Sequence, residues 1–304
     1  MKLQLAANII ENRFNINQEQ AIANTVSNLN RIVQLRETEK QEVLEFLAQR
    51  PVHTVVMTSL IQDNGIENTE NRGKFFGYRN AKGMLEGVAL IGHTTLVESR
   101  SYDSLTAFAL IARKSETPIH FMMSDGKTIE TFWHYYTDGL REPRLVCPEL
   151  LFELKFPFPV QECKWDVRLA NADELEQIAV AHDEVAFIES GSSPMQKDRE
   201  GFLKRCLKRI EQKRTFVVFD NGKLVFKADI VAETSDVVYL EGIYVAPEYR
   251  GQGVGSSCLS NLSLQLMERV ENICLLSNVE FKGAHRSFAK AGFQNTDCCQ
   301  TIFV

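Results

Sequence analysis

The feature that most restricts the fold is a run of three alternate glycines between a strand pattern and a helix pattern. The segment DVVYLEGIYV reads as a strand, and APEYRGQGVGSS follows it with Gly251, Gly253 and Gly255. The helix pattern behind the glycines places apolar residues on one face: Leu259, Leu262, Leu266, Val270 and Ile273. The first amides of a helix have no intrahelical partner, and the helix dipole puts partial positive charge there. Because glycines let an anion approach this backbone closely, the segment predicts a phosphate or pyrophosphate site.

Several kinds of glycine loop remain open at this point. A P-loop requires GxxxxGK[ST], and the lysine is missing here. A dinucleotide fingerprint requires GxGxxG in a tight turn, whereas APEYR separates this strand from the glycines. A purely structural glycine loop is the remaining interpretation of the isolated pattern.

Composition excludes several classes of function. The chain has 304 residues, which fits one large domain or two of about 150 residues. Its net charge of −6 supplies no field for nucleic acid or an anionic membrane, so neither is expected as a partner. Its apolar runs are shorter than the roughly 20 residues that span a bilayer, and its first residues show no secretory signal pattern. We therefore expect a cytoplasmic protein.

The cysteines do not indicate a metal site. The sequence has 7 cysteines, an odd number, and lacks a CxxC pair. We expect reduced, structural thiols and no bound metal.

The chain is predicted to contain two related domains. Two prolines in KFPFPVQECKWDV break regular structure, which divides the chain into domains 1–156 and 164–304. The hairpin pattern FFGYRNAKGMLEGVALI in the first half aligns with FVVFDNGKLVFKADI in the second. Each hairpin precedes a helix and a further strand, which indicates a tandem repeat. The first copy has no glycine triplet before its helix.

Local signals fix several turns and helix ends. Asn171 and Glu174 form a capping-box pattern, and Asp103 is a candidate cap for a helix over 101–114. The Asn-Gly of DNGK suits a two-residue hairpin turn. Gly292 is expected to end the short helix HRSFAKAGF.

The glycine segment in its context resembles the acetyl-coenzyme A signature of the GNAT family of N-acetyltransferases. The family pattern [RQ]xxGx[GA] corresponds to Arg250, Gly253 and Gly255, and AHRSFAKAGF resembles the family's NxxAxxxYxxxGF ending. The resemblance covers roughly residues 165 to 304. Within the family, it is nearest to bacterial tandem proteins with a VFKADI-like strand and a degenerate first acetyltransferase domain.

The resemblance implies an α/β fold: tandem acyl-coenzyme A N-acyltransferase domains, each with a mixed, mostly antiparallel sheet flanked by helices. It also implies that acetyl-coenzyme A binds where the sheet splays apart. The pyrophosphate is then expected at the signature arginine and the loop amides, namely Arg250, Gly251, Gln252, Gly253, Val254, Gly255 and Ser256. The pantetheine arm is expected along the strand edge at Ile243, Tyr244 and Val245, with Asn278 nearby.

Acetyl transfer to an amine requires a group that accepts a proton. Glu241 is the candidate base because it lies in an apolar strand run, where a carboxylate is expected to have a raised pKa. A solvent-facing glutamate on an edge strand is the alternative. Glu184 and Glu189 can approach the acceptor from the first helix of this domain, although surface or cap roles are the simpler interpretation. His182 is expected at the core boundary.

The resemblance also contains a departure from the family pattern. Phe288 stands where the family commonly has a tyrosine that protonates the leaving thiolate, and Phe281 replaces the usual asparagine. Three accounts follow: Tyr244 or Tyr239 substitutes, the thiolate leaves unassisted, or the domain binds the cofactor without catalysis. Unassisted departure is tolerable because a free thiol has a pKa of about 8.5.

The sequence therefore predicts an N-acetyltransferase that moves an acetyl group from acetyl-coenzyme A to a primary amine of a small molecule or peptide. Glu241 and Tyr244 are its candidate catalytic residues. A regulatory module that binds acyl-coenzyme A without turnover is the first alternative, and a protein-interaction scaffold is the second.

Overall fold

A computed structural model of the chain describes residues 28–304, and residues 1–27 of the predicted first domain lie outside that range. The described part begins with β1 (Ile32–Gln34), α1 (Lys40–Leu47), α2 (Pro51–Asn64), β2 (Gly73–Arg79), β3 (Leu85–Gly92), β4 (Thr94–Ser99), α3 (Tyr102–Ala112), β5 (Phe121–Asp125) and α4 (Gly126–Thr137). It continues with β6 (Leu145–Lys155), β7 (Arg168–Leu169), α5 (Leu175–Ser190), α6 (Pro194–Lys197), α7 (Arg199–Glu211), β8 (Thr215–Asp220), β9 (Lys223–Glu233), β10 (Val237–Val245), α8 (Val254–Leu266), β11 (Asn272–Asn278), α9 (Lys282–Lys290) and β12 (Gln294–Phe303).

The chain packs into two compact units that interleave along the sequence. Among the described residues, the first unit contains 28–46, 64–143 and 304, and the second contains 47–63 and 144–303. Helix α2 and strand β6 therefore belong to the second unit, although both precede the predicted boundary in the chain. The division into domains 1–156 and 164–304 stays a prediction.

The first unit has a five-stranded sheet in the order β1-β2-β3-β4-β5. Neighbouring strands are antiparallel from β1 to β4, whereas β4 and β5 are parallel. A parallel pair requires a crossover connection, and α3 provides it here. The buried residues of α3 include Leu105, Ala107 and Phe108.

The second unit has a seven-stranded sheet in the order β12-β6-β11-β10-β9-β8-β7. Strand β6 is antiparallel to both of its neighbours, with Phe152 opposite Leu275 on β11 and opposite Asn295 on β12. Strands β10 and β11 form a parallel pair, and α8 is the crossover between them. The sheet is therefore mixed and mostly antiparallel.

The two units repeat the same order of elements. A hairpin, a third antiparallel strand, a helix and a parallel strand form β2-β3-β4-α3-β5 in one unit and β8-β9-β10-α8-β11 in the other. This repeat confirms the predicted tandem of mixed α/β folds with helices flanking the sheets.

Helices cover the second sheet through apolar residues. On the face predicted for α8, Leu259, Leu262 and Leu266 are at most 1% exposed. Ile273 is buried too, but its predicted place on the helix is wrong, because α8 ends at Leu266 and Ile273 lies on β11. These residues pack with Val238 and Leu240 of β10 in one core. A separate group from α5 and α7, Ile178, Ala181 and Ile210, packs with Val217 of β8 and Leu224 of β9. Apolar burial of this kind stabilises a fold by about 25 cal/mol per Å² of surface removed from water.

Most local signals in the sequence are confirmed, and one is wrong. The Asn171 amide donates to Glu174 Oε2 at 2.8 Å, as a capping box requires. Asn221 and Gly222 both have positive φ in the DNGK turn, and Gly292 has φ +101° after α9. The cap of α3 is Ser101 rather than Asp103, since the Ser101 hydroxyl accepts from the Ser104 amide at 3.2 Å. Asp103 instead lies in the first turn, where the helix dipole favours an acidic residue.

Candidate active site

A cavity opens in the second unit where β10 and β11 stop pairing. Their register runs from Val237 opposite Asn272 to Leu240 opposite Leu275, and no further pair joins them in the described sheet. Beyond that point β10 continues to Val245 and β11 to Asn278. The resulting cavity has a volume of about 690 Å³. A cavity of this size can hold a drug-sized ligand or an extended cofactor arm.

The glycine loop lines part of this cavity. Gly251 and Gly253 line it and have φ values of +77° and +82°, which residues other than glycine rarely adopt. A Cβ built on either residue would meet no atom of the described chain within 4 Å. The amides of Val254, Gly255 and Ser256 precede the first backbone bond of the helix, which runs from Ser257 N to Gly253 O at 3.0 Å. The loop thus presents bare backbone and the first helix amides, and binding of an anion there stays a prediction.

The third glycine has a different role. A Cβ on Gly255 would lie 3.1 Å from Cγ2 of Val245. Gly255 therefore allows α8 to approach β10 closely, and this contact sets where the helix N-terminus meets the cavity.

Arg250 folds back along the strand. Its Nε donates to the Val245 carbonyl at 2.8 Å, and its Nη2 pairs with Glu184 Oε1 at 3.0 Å. The guanidinium lies 5.7 Å from the ring centre of Tyr244. Burial and the neighbouring Glu184 carboxylate raise the pKa of the Tyr244 phenol, which also hydrogen-bonds Glu184. These three side chains form a polar cluster at the cavity wall.

The other predicted cofactor residues are distributed unevenly. Ile243, Tyr244, Val245, Arg250 and Ser256 line the cavity. The side-chain amide of Gln252 donates to the Glu248 carbonyl at 2.7 Å, and Val254 is buried in the core. Ser277 of β11 is part of the lining, whereas the Asn278 side chain accepts from the Glu280 amide at 2.9 Å and shapes the turn after β11.

Carboxylates gather in the lining of the cavity. Glu241 and Glu189 line it, and Glu149 of β6 lies close enough for its charge and theirs to act on one another. Loss of solvation, followed by the charges of Glu241 and Glu149, raises the pKa of Glu189 to about 7. The pKa of Glu149 is also raised to about 7 by burial and by the Glu241 charge, although Thr301 Oγ1 donates to its Oε2 at 2.7 Å. Like charges close together resist simultaneous ionisation, so the pair Glu149 and Glu189 can exchange a proton near neutral pH.

Glu149 is the residue that the sequence analysis missed. It belongs to LVCPELLFELK, a strand assigned by chain position to the first half. Strand β6 lies between β11 and β12, with Glu149 opposite Asn278, and the Glu149 carboxylate is close enough to Glu241 and Glu189 for their charges to interact. A glutamate inside the apolar run LVCPELLF is the available signal.

The aromatic residues of the cavity include both departures from the family pattern. Phe281 and Phe288 line it, and Phe288 is only 6% exposed and packs edge-on against Phe152. Tyr244 lines the cavity too. Tyr239 is buried and hydrogen-bonds Glu241; burial and that carboxylate raise its pKa well above the ordinary value.

Comparison with known proteins is consistent with this geometry. Residues 211–295, which include the glycine loop, match the acetyltransferase (GNAT) domain family. No match to a curated protein was found. Within residues 28–304 no group of His, Cys, Asp and Glu is arranged to hold a metal ion, and no helix is long and apolar enough to cross a membrane.

Several solved structures share the fold over nearly the whole chain. A GNAT-family acetyltransferase from Colwellia psychrerythraea is 16% identical, with a TM-score of 0.54 over 90% of this chain and 99% of its own. A tandem GNAT protein from the clavulanic acid biosynthesis pathway is 13% identical, with a TM-score of 0.55 over 89% and 97%. A Drosophila protein is 12% identical, with a TM-score of 0.65 over 90% and 98%. At these identities the similarity concerns the fold alone.

Proposed function

Residues 211–295 of this chain belong to the GNAT acetyltransferase domain family, and on that premise we propose that the protein transfers an acetyl group from acetyl-coenzyme A to an amine. The observation that carries the proposal is the arrangement of the cavity. Bare glycine backbone at a helix N-terminus lines it, and so do the carboxylates of Glu184, Glu189 and Glu241, with Glu149 close to the last two. An anionic cofactor and a cationic amine thus each meet groups of complementary charge.

The loop fits the cofactor on physical grounds. Gly251 and Gly253 leave space that a Cβ would otherwise occupy, and the first helix amides point their partial positive charge into it. We assign the pyrophosphate to residues 250–256 and the pantetheine arm to the unpaired edge of β10 at Ile243, Tyr244 and Val245. Asn278, at the end of β11, is assigned a place near the pantetheine arm through its backbone, because its side chain accepts from the Glu280 amide.

The carboxylates are assigned to the amine. An alkyl ammonium has a pKa near 10, so it must lose a proton before its nitrogen can attack. The nitrogen then bonds to the acetyl carbon, the carbon–sulfur bond breaks, and the sulfur leaves with the bonding electrons. We propose that Glu241 and Glu189 accept the proton as a coupled pair, with Glu149 beside them.

Tyr244 is the assigned donor to the leaving sulfur. Tyr244 lines the cavity and carries a hydroxyl, whereas Phe288 has no proton to give. A raised pKa keeps the Tyr244 phenol protonated at neutral pH, which a proton donor requires.

A second candidate function rests on the two phenylalanines. Phe281 and Phe288 make the cavity wall apolar where the family has polar groups. This observation favours a module that binds acyl-coenzyme A and responds to it without turnover.

A screen of amines for thiol release from acetyl-coenzyme A separates the two functions. With a productive amine, we expect Glu241→Gln and Glu189→Gln each to lower kcat by roughly 10²- to 10⁴-fold, the usual contribution of general-base catalysis. In Glu241→Gln the acidic limb of the pH–rate profile should also move to lower pH, because the charge that raises the pKa of Glu189 is gone. Binding of the thioester without thiol release for any amine class would favour the regulatory module. Unchanged turnover in Glu241→Gln would remove Glu241 from the assignment.

A further inference from the structure

A cluster of charged side chains is buried next to β10, the strand that lines the cavity. Lys227 and Asp229 of β9 are each 1% exposed. Asp229 Oδ2 accepts from Lys227 Nζ and from Arg209 Nη1, the latter at 3.0 Å, and lies 3.3 Å from His182 Nδ1. Asp229 Oδ1 accepts from Thr215 Oγ1 at 2.8 Å. Every face of this carboxylate is therefore occupied.

The cluster holds more positive charge than its carboxylate requires. Burial raises the pKa of Asp229, but Lys227, the His182 hydrogen bond and Arg209 outweigh it and hold that pKa below the ordinary value. Burial lowers the pKa of His182, so the imidazole is neutral near pH 7. Two cations then share one anion, although Arg209 alone would neutralise Asp229. Because a buried ammonium is costly unless each donor finds a partner, Lys227 needs an explanation beyond this ion pair.

Besides Asp229, Lys227 Nζ contacts His182 Nδ1 at 3.4 Å and a backbone carbonyl at a β-bulge. The ammonium donates to the Gly242 carbonyl at 3.2 Å. The register between β10 and β9 shifts between Glu241 and Tyr244, so one extra residue is accommodated on β10. Gly242 sits at this shift with φ +59°. A bulge leaves the extra residue outside the ladder, and here Lys227 supplies the donor that the ladder cannot.

The bulge controls what the strand presents to the cavity. Glu241, Gly242, Ile243 and Tyr244 all line it. The side chains of a strand alternate between its two faces. Without the extra residue, Ile243 and Tyr244 would therefore each point to the other face of the sheet. The direction of these groups thus depends on the bulge that Lys227 holds.

We propose that Lys227 is a positioning residue: from the neighbouring strand β9, its ammonium fixes the β10 bulge and so aligns the cavity-lining segment 241–244. The catalytic part of this inference rests on the proposed acetyl transfer, whereas the mechanical part concerns the bulge alone.

The test compares Lys227→Met with Arg209→Met. Each variant removes one cation from Asp229 and leaves the other, so both are expected to fold with a lower thermal midpoint. Only Lys227→Met removes the donor to Gly242. Amide hydrogen exchange, read by mass spectrometry on peptides covering 242–246, should be about tenfold faster in Lys227→Met, as expected for losing a hydrogen bond from a charged group, and near wild type in Arg209→Met.

Activity provides the second readout. With acetyl-coenzyme A and a productive amine, Lys227→Met should lose between about 10- and 100-fold in kcat/KM, mostly in kcat. The reason is that segment 241–244 still binds the substrates but no longer aligns them for reaction. Arg209→Met should keep a near-normal kcat. A purely structural role for Lys227 would lower the thermal midpoints of both variants without this difference.

A second pair of variants covers the case in which Lys227→Met does not fold. A Cβ at Gly242 would lie 2.9 Å from Lys227 Nζ, so Gly242→Ala displaces the ammonium from the other side. Gly222→Ala is the control, because Gly222 also has positive φ but a Cβ there meets nothing of the described chain within 4 Å. Faster exchange over 242–246 is expected in Gly242→Ala and not in Gly222→Ala.

The outcomes separate this inference from the proposed function. Wild-type exchange over 242–246 in Lys227→Met, or in Gly242→Ala if that is the folded variant, overturns the inference even if acetyl transfer is established. If the wild-type protein releases no thiol, the proposed function fails, and the exchange difference still decides whether Lys227 holds the bulge.

Discussion

Replacement of Glu149 by glutamine should make the stability of the protein less dependent on pH. In the folded protein, burial and the charge of Glu241 raise the pKa of Glu149 from an ordinary value of 4.5 to about 7. Between these two values the folded state holds a proton that the unfolded state has released. The free energy of unfolding therefore falls as the pH rises through this window.

The size of the effect follows from the shift. One pKa unit corresponds to 1.36 kcal/mol, so the full shift amounts to about 3 kcal/mol, and residual solvent access reduces it to about 2 kcal/mol. Glutamine keeps an acceptor for the Thr301 hydroxyl but carries no charge. The free energy of unfolding of Glu149→Gln minus that of wild type should thus be about 2 kcal/mol more favourable to the variant at pH 8.5 than at pH 5.

Urea unfolding at a series of pH values measures this difference. Glu153→Gln is the control: it changes the same residue type on the same strand, but at a carboxylate that pairs with Lys155 at 3.3 Å and accepts from Thr296 at 2.7 Å. The reasoning is refuted if the difference in unfolding free energy between Glu149→Gln and wild type is the same at pH 5 and pH 8.5. It is also refuted if Glu153→Gln shows the same change with pH as Glu149→Gln.

Two further predictions concern the loop and its neighbours. Gly255→Val should destabilise the protein by about 1 to 3 kcal/mol in urea unfolding, because its Cβ would lie 3.1 Å from Val245 Cγ2 and force α8 away from β10; a loss below 0.5 kcal/mol would contradict the close packing. Glu184→Gln should tighten binding of acetyl-coenzyme A a few-fold in calorimetry at low salt, since it removes the negative charge that pairs with Arg250 at 3.0 Å, and the gain should shrink at high salt; weaker binding would mean that Glu184 supports the site.

The parts of the site that could be predicted from the sequence are local along the chain. The glycines, the turn before them and the apolar face of α8 lie within about one strand-loop-helix segment, and their periodicity and backbone requirements are visible without tertiary information. The same holds for the Asn171 capping box and the Asn-Gly turn.

The parts that escaped prediction depend on long-range packing. Glu149 reaches the carboxylate group because β6 pairs between β11 and β12, more than 100 residues further along the chain. The charged cluster next to β10 contains side chains from β9, α5 and α7. Nothing in VFKADI indicates that its lysine donates a hydrogen bond to the Gly242 carbonyl. Sequence periodicity assigns a residue to a face but not to a partner.

The bulge at Gly242 illustrates the same limit. Alternation along DVVYLEGIYV places Glu241, Ile243 and Val245 on one face, as a regular strand would. The extra residue in β10 changes this alternation, so Tyr244 also faces the cavity. A single glycine in a strand signals such an irregularity but does not determine its form.

Binding of acetyl-coenzyme A to the glycine loop is the central claim, and isothermal calorimetry on wild type, Gly253→Asp and Gly222→Asp tests it most directly. Both glycines have positive φ and open space at the Cβ position among the described residues, but only Gly253 lies at the cavity. An aspartate at position 253 would place a negative charge where the pyrophosphate is assigned. The account predicts binding to wild type and to Gly222→Asp, with at least tenfold weaker binding to Gly253→Asp, about 1.4 kcal/mol or more. Equal affinity for all three proteins, or no binding to wild type, would contradict it.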